Sequence, residues 1–210
     1  MNINLRICLL VLFLLPVSAC SGSGSQWDGG VNDQWDRAFR WSITVAAPKH
    51  YKVWVDKFFV ESLSEDIGWR APIGSVGCCW KSPNGGTAEW QTIPEVFIIE
   101  WFSFAEQQSY RAVFKIEDPE GLFEKMQQPA PLMLRGNKVT MPRYNLVLGL
   151  APGGKVVVWI MSWEETAIEV GRYQALPFES TENDYTEWTN EYLEAEGDYL
   201  KEHGLQLDKW

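Results

Sequence analysis

The chain has 210 residues, a formal net charge of −10, and twelve tryptophans against two histidines. Such acidity excludes the phosphate-neutralising surface that nucleic-acid binding needs, and so few histidines argue against a metal cage or a Ser-His-Asp site. The length suits one domain with a sizeable core rather than two small ones.

At the N-terminus, Arg6 precedes an apolar run over residues 7–15, and Pro16-Val17-Ser18-Ala19-Cys20 follows. A positive start, an apolar stretch of about ten residues and a small-residue cut site form the layout of a secretory signal. The run is too short to cross a bilayer, which takes about 20 residues. A signal cut without lipidation and a short membrane anchor are the alternatives. Val17-Ser18-Ala19-Cys20 resembles the lipobox of bacterial lipoproteins. The resemblance implies removal of residues 1–19 and lipidation of Cys20, which would make a lipid membrane the first partner. A thiolate is the strong nucleophile that such acylation needs, and burial at about 0.8 kcal/mol per CH₂ lets several acyl chains on one residue anchor firmly. By the same resemblance, Ser21 rather than Asp after the modified residue implies the outer membrane of a Gram-negative host, facing the periplasm. Cleavage removes one arginine and no acidic residue, which takes the charge to −11.

Lipidated Cys20 opens a polar, glycine-rich stretch over residues 20–34 without periodicity, read as a flexible tether. Its r.m.s. reach is about 20 Å, so the globular domain, residues 35–210, stands just off the bilayer. Of the four cysteines, Cys8 leaves with the signal, and only the adjacent Cys78 and Cys79 remain in the domain. Neighbouring α-carbons lie about 3.8 Å apart, below the usual disulfide range. Two buried or half-buried thiols are therefore expected, with a vicinal disulfide as the alternative in an oxidising compartment.

Strand chemistry dominates from residue 35 onward. Segments 39–47, 51–60, 96–104, 110–116, 144–150, 156–163 and 168–174 are rich in Val, Ile, Phe, Trp and Tyr and bounded by Pro and Gly, which reads as a sheet-rich domain. The continuously apolar Val96-Phe97-Ile98-Ile99 and Val156-Val157-Val158-Trp159-Ile160 are predicted to be central strands covered on both faces. Asp118-Pro119-Glu120 starts a short helix that ends before Pro129. A longer helix is predicted over 181–202, with Thr181 and Asp184 resembling a capping box and Gly204 beyond the end. Tyr185, Trp188, Tyr192, Ala195 and Tyr199 share one stripe of it, so an aromatic face is expected to pack on the sheet. The fold class is thus α+β, mainly β: an antiparallel sheet-rich single domain with a short middle helix and a long acidic C-terminal helix.

Gly149-Leu150-Ala151-Pro152-Gly153-Gly154-Lys155 lacks the Gly-Lys-Ser/Thr end of a phosphate loop and no helix follows; Pro then Gly suits a hairpin turn instead. Pro83-Asn84-Gly85-Gly86 is read likewise. Glu100 beside Trp101 is the best candidate for an acid–base carboxylate, against the commoner reading of a strand glutamate in solvent or paired with arginine. Trp54, Trp101, Trp159 and Trp163 are expected in the core. Trp27, Trp80, Trp90 and Trp210 remain as glycan or protein contacts. Glu187, Glu191, Glu194 and Asp198 form a second stripe on the last helix, a candidate surface for steering a basic partner, with a merely solvated face as the alternative.

Ala47-Pro48, residues 51–59, the 94–103 segment with Trp101 and Ser103, and above all Gly149-Leu150-Ala151-Pro152-Gly153-Gly154 followed by Val157-Val158-Trp159 resemble family 2931 of the domains of unknown function. That family consists largely of Gram-negative lipoproteins. The resemblance implies no catalytic residue and no cofactor. It does imply a context, since such genes are similar to those found beside type VI secretion effectors such as lipases, where a periplasmic lipoprotein would be the immunity protein. The expected function is a membrane-anchored, non-enzymatic binding module with a secreted toxin as protein partner; the alternative is an envelope-maintenance lipoprotein that binds glycan or an envelope assembly. For the anchor itself, Cys20→Ala is expected to accumulate uncleaved precursor and a product without acyl mass by intact-mass spectrometry; normal processing of that variant would refute lipidation.

Overall fold

In the computed structural model the described residues all belong to one compact unit, within Val31–Trp210. The structure describes residues 39–71, 73–82, 88–90, 94–181 and 183–210, with backbone alone for 88–90. The signal, Cys20, the tether with Trp27 and the turn read at Pro83-Asn84-Gly85-Gly86 lie outside the described residues.

The described chain is mainly β. Its strands are β1 (Trp41–Ala46), β2 (Val53–Ser62), β3 (Ile67–Arg70), β4 (Gly74–Val76), β5 (Ala88–Trp90), β6 (Val96–Ser103), β7 (Gln108–Lys115), β8 (Ala130–Leu134), β9 (Asn137–Met141), β10 (Asn145–Ala151), β11 (Lys155–Met161), β12 (Ile168–Gln174) and β13 (Leu176–Phe178). Helix α1 (Pro119–Gln127) follows β7, and α2 (Thr186–His203) follows β13. One sheet runs β12-β11-β10-β1-β5 and the other β13-β7-β6-β2-β3, with β4 also on β2 and β8-β9 as a separate hairpin. Pairing is antiparallel except between β1 and β10, which are parallel and start at Ser42 opposite Asn145. The Ser42 hydroxyl donates to Asn145 Oδ1 at 2.6 Å at that end of the ladder.

The two sheets share one core. Ile43, Val45, Leu146, Leu148, Val156 and Val158 from the first meet Val55, Phe58, Phe97, Ile99 and Trp101 from the second in a single buried cluster. Alternation along each strand sends these side chains to the same face, and stacked sheets bury them between layers. Helix α1 plugs this core with Leu122 and Met126; its start is set by Asp118, whose Oδ1 accepts from Gly121 N at 2.9 Å, with Pro119 in the first turn. At Ala175 the chain leaves β12 for β13, in the other sheet. There Ala175 N donates to Gly154 O at 2.8 Å, and Tyr173 stacks on Phe114 at 3.9 Å.

Helix α2 covers part of the outer face of the second sheet. Phe102, Phe104, Tyr185 and Tyr192 form a buried cluster joined by Trp54 and Trp188, with Phe102 stacked on Tyr185 at 4.0 Å and Trp54 on Trp188 at 4.4 Å. The predicted aromatic stripe therefore docks as expected, except that Ala195 is exposed. The helix also begins at Thr186 rather than 181, with no side-chain cap on its N-cap residue Tyr185. The physical reason is a bulge in β2 between Val55 and Lys57. Asp56 in this bulge accepts from Asn183 Nδ2 at 2.7 Å and from the Tyr185 hydroxyl, so residues 183–185 are held outside the helix before its first turn. Asp184 caps locally, accepting from Thr186 N at 3.0 Å.

Three more expectations need correction. Only β11 of the two apolar runs is covered on both faces; Val96 and Ile98 of β6 are half-buried, because α2 reaches only the far half of that strand. Trp163 is 48% exposed, since β11 ends at Met161 and Trp163 caps the short 3₁₀ turn Glu164–Thr166. Trp54 is half-buried beneath Trp188 rather than in the core.

The Pro152-Gly153-Gly154 turn joins β10 to β11 as expected, with Gly153 at φ 77° and Gly154 at φ 69°. Side chains have little access to this left-handed region. A Cβ on Gly154 would also stand 2.7 Å from the Tyr110 ring. Glu106, in the turn between β6 and β7, clamps the hairpin: its Oε1 accepts from Gly153 N and from the Tyr110 hydroxyl, each at 2.8 Å, and its Oε2 from Ser103 Oγ at 2.8 Å. Removing a half-buried carboxylate that accepts from several donors leaves those donors unpaired, at about 1–3 kcal/mol. Glu106→Ala is expected to lower the urea midpoint by a corresponding amount while Glu106→Gln keeps part of it; an unchanged midpoint in the alanine variant would show that the hairpin needs no clamp.

Candidate functional site

An open cleft of about 600 Å³ lies where the β1–β2 turn, the segment after β4 and the end of α2 converge, lined by Lys49, His50, Cys78, Cys79, Trp80, Tyr199 and Trp210. Its walls are aromatic and sulfur; its polar groups come from one turn.

One wall follows from a missing side chain. Gly149 of β10 lies beneath two indoles: a Cβ there would stand 2.4 Å from the Trp159 ring and 2.6 Å from the Trp80 ring. Trp159 of β11 is buried on the outer face of the first sheet with Ala46, Val147 and Met161. Trp80 packs edge-on against it at 4.7 Å, and Trp210 packs edge-on against Trp80 at 5.3 Å. T-shaped indole contacts of this kind suit the ring quadrupole and contribute about 0.5–1.5 kcal/mol each beyond area burial. Immediately before Trp80, Cys78 and Cys79 form a vicinal disulfide, half-buried at Cys78 and exposed at Cys79. The expected pair of thiols is thus corrected. The vicinal-disulfide alternative is the one the structure takes, with the two α-carbons 3.2 Å apart.

The opposite wall is built around His50. Its φ of 71° is left-handed, at a cost of about 1–2 kcal/mol for a residue with a Cβ, and α2 holds it there. Tyr192 donates its hydroxyl to His50 O at 2.6 Å, Glu196 Oε2 meets His50 Nδ1 at 2.6 Å, and the Tyr199 ring stacks on the imidazole at 3.8 Å. Tyr51 extends the cluster, edge-on to Tyr199 at 6.3 Å and to Trp210 at 5.8 Å, and its hydroxyl donates to Gly204 O at 2.8 Å. Burial pushes the Tyr51 phenol up to about 12, with Tyr199 beside it adding to the shift. The Tyr192 phenol is raised too, by burial first and then by the Glu196 charge. Both therefore remain hydrogen-bond donors throughout the neutral range.

Of the predicted contact residues, Trp80 and Trp210 line the cleft, whereas Trp90 ends β5, opposite Trp41. Glu187, Glu191, Glu194 and Asp198 are all exposed on α2, away from its docked aromatics; Asp198 pairs with Lys201 at 3.0 Å. Glu100 is buried, not in the cleft but in the outer row of the second sheet, 2.7 Å from Arg111 Nε and 3.4 Å from Lys57 Nζ. Both cations sit directly opposite it on the neighbouring strands, so the paired-glutamate reading holds. His50, Glu196, Tyr199 and the disulfide were missed as members of one site. No local signal joins them, since His50 and Glu196 are 146 residues apart. Among the described residues, no group of three or more His, Cys, Asp or Glu is placed to hold a metal ion.

Residues 28–208 match the model of the family described as protein of unknown function (DUF2931). The chain belongs to the DUF2931 family. No curated protein and no solved structure matches it. The glycine-rich run that carried the resemblance now has a structural account in this DUF2931 member: Gly153 and Gly154 make the turn that Glu106 holds, and Gly149 makes room for Trp159 and Trp80. Gly149→Ala is expected to destabilise the fold by about 1–3 kcal/mol through overpacking and to shift tryptophan emission as Trp80 is displaced; unchanged stability and emission would show that the indoles have room to spare.

Proposed function

We propose that the chain is a lipid-anchored lipoprotein facing the periplasm, whose folded part is a non-enzymatic binding module that captures and inhibits a secreted toxin, such as a type VI lipase effector, as its immunity protein. The observation that carries this reading is the division of α2: Tyr185 and Tyr192 are buried against the second sheet while Glu187, Glu191, Glu194 and Asp198 stand in solvent. A fixed row of carboxylates on a chain of charge −10 attracts a basic partner and accelerates encounter. Against catalysis, the oxygens of Glu100, the best candidate acid, already face Arg111 and Lys57. For the anchor, Val17-Ser18-Ala19-Cys20 and the following tether supply the chemistry. A second reading, an envelope-maintenance lipoprotein that binds glycan, is favoured by the aromatic cleft at Trp80 and Trp210.

Contact competition tests the first reading. A mutant lacking this gene and the neighbouring effector gene should be killed by its parent and rescued by the wild-type gene alone. The Glu187→Lys, Glu191→Lys, Glu194→Lys variant, at equal expression, should rescue poorly, because reversing charge on a steering face slows association by about tenfold or more. Survival of the mutant while the secretion system fires would overturn the immunity reading; full rescue by the triple variant would move the interface off α2.

A further inference from the structure

We infer that the cleft between the Cys78–Cys79 disulfide and the end of α2 is a saccharide site that takes an N-acetylhexosamine ring, as found in envelope glycan chains. The inference deepens the glycan-binding reading above and rests on it, but does not depend on the acidic face of α2.

Three features of the cleft select this chemistry. First, the lining is amphipathic in the sense that a pyranose is. Trp80, Trp210, Tyr199 and the disulfide offer apolar, polarisable surface, while Lys49 and His50 bring the polar groups from a single turn. Pyranose C–H faces pack on aromatic rings, and the ring's hydroxyls and acetamide leave from its rim. Trp80 and Trp210 meet at an interplanar angle of 68°, so two indole planes form a corner in which one ring can carry a sugar face and the other its edge. Second, the polar group is built in place. His50 is held in a left-handed backbone conformation by Tyr192 and Glu196 and covered by Tyr199. With Nδ1 directed to the Glu196 carboxylate, Nε2 is the nitrogen left to accept from a hydroxyl or amide N–H. A few well-placed polar groups in a mostly apolar concavity are what orient a small ligand, and an imidazole constrained from several sides is such a group. Third, the other occupants fit less well. Lys49 in the lining opposes a cationic side chain, which aromatic surroundings would otherwise welcome, and an acyl chain would leave Lys49 and His50 without a role. An acetamido sugar uses both, its carbonyl accepting from the Lys49 ammonium and its methyl resting on indole or sulfur. A volume of about 600 Å³ is enough for more than one ring.

The experiment is a saturation-transfer NMR titration of the full chain, purified in a detergent without a sugar headgroup, with the tetramer of N-acetylglucosamine as probe and the glucose tetramer as control. Saturable transfer to the acetamide methyl and ring protons of the first probe, and little to the second, is expected. Tyr199→Ala and Trp210→Ala should each weaken binding about three- to tenfold, in line with one lost aromatic contact. Lys49→Ala, exposed and outside the core, should weaken it without changing the melting temperature. Absence of transfer to a folded wild-type chain overturns the inference, as does affinity unchanged in all three variants. Retention of the chain on insoluble peptidoglycan reads the glycan-binding function separately. Retention without transfer overturns the cleft assignment and leaves that function standing, whereas transfer without retention supports the cleft and overturns the function.

Discussion

An alanine at position 149 would put a methyl group 2.4 Å from one indole ring and 2.6 Å from another. Gly149 sits in β10, which pairs in parallel with β1 on one side and antiparallel with β11 on the other, so its backbone cannot withdraw without breaking ladders in the middle of a sheet. The bare backbone lets Trp159 lie down over its neighbouring strand, and Trp80 then stands against Trp159. Because Trp80 directly follows the Cys78–Cys79 disulfide, the position of that segment is tied to the sheet through a ring contact rather than through strand pairing. The cleft wall is thus a consequence of core packing.

The facing wall depends on α2, and α2 has its own constraint. A helix whose N-cap residue offers no side-chain cap, with only Asp184 accepting from its first N–H, gains little from its own N-terminus. Its position comes from tertiary contacts along its length: the Tyr185 hydroxyl on Asp56 at the start, Trp188 on Trp54 and Tyr192 on Phe104 in the middle, Tyr199 on His50 near the end. These contacts fall on one face because residues three and four apart are neighbours on a helix. The same spacing places Glu187, Glu191, Glu194 and Asp198 on the solvent side.

Much of this architecture was legible in the residues, and the parts that were not have physical reasons. Long strands rich in β-branched and aromatic residues, such as β2, β10, β11 and β12, were readable because their composition and turn boundaries agree; so were α1, through Asp118-Pro119, and the docking face of α2. Short β3, β4, β5, β8, β9 and β13 were not. In β8–β9 the turn is Arg135-Gly136, both at positive φ, and Met133 and Leu134 face solvent, so neither alternation nor a familiar turn dipeptide marks the hairpin. The parallel β1–β10 pair joins segments about a hundred residues apart, as the 103-residue separation of Ser42 and Asn145 shows; pairing over such a distance leaves no local pattern. The candidate site was legible in three pieces, Trp80, Trp210 and the acidic stripe. The rest of the cleft comes from scattered positions that only the fold unites.

The contacts that fix α2 also bear on what its surface can do. Side chains and segments that must be ordered on association reduce affinity, by about 0.5–1.5 kcal/mol for each rotamer-rich group immobilised. A helix already pinned at its start, middle and end by aromatic and hydroxyl contacts presents its carboxylates from a backbone that needs no further ordering. The same holds for the cleft, where His50 is held by Tyr192, Glu196 and Tyr199. Cleft and acidic row therefore share one rigid element but use different faces of it, with Glu196 at the border, turned inward to His50, and Asp198 turned outward to Lys201. The acidic row contributes no side chain to the cleft lining, and the two proposed surfaces are separate faces of one pinned helix.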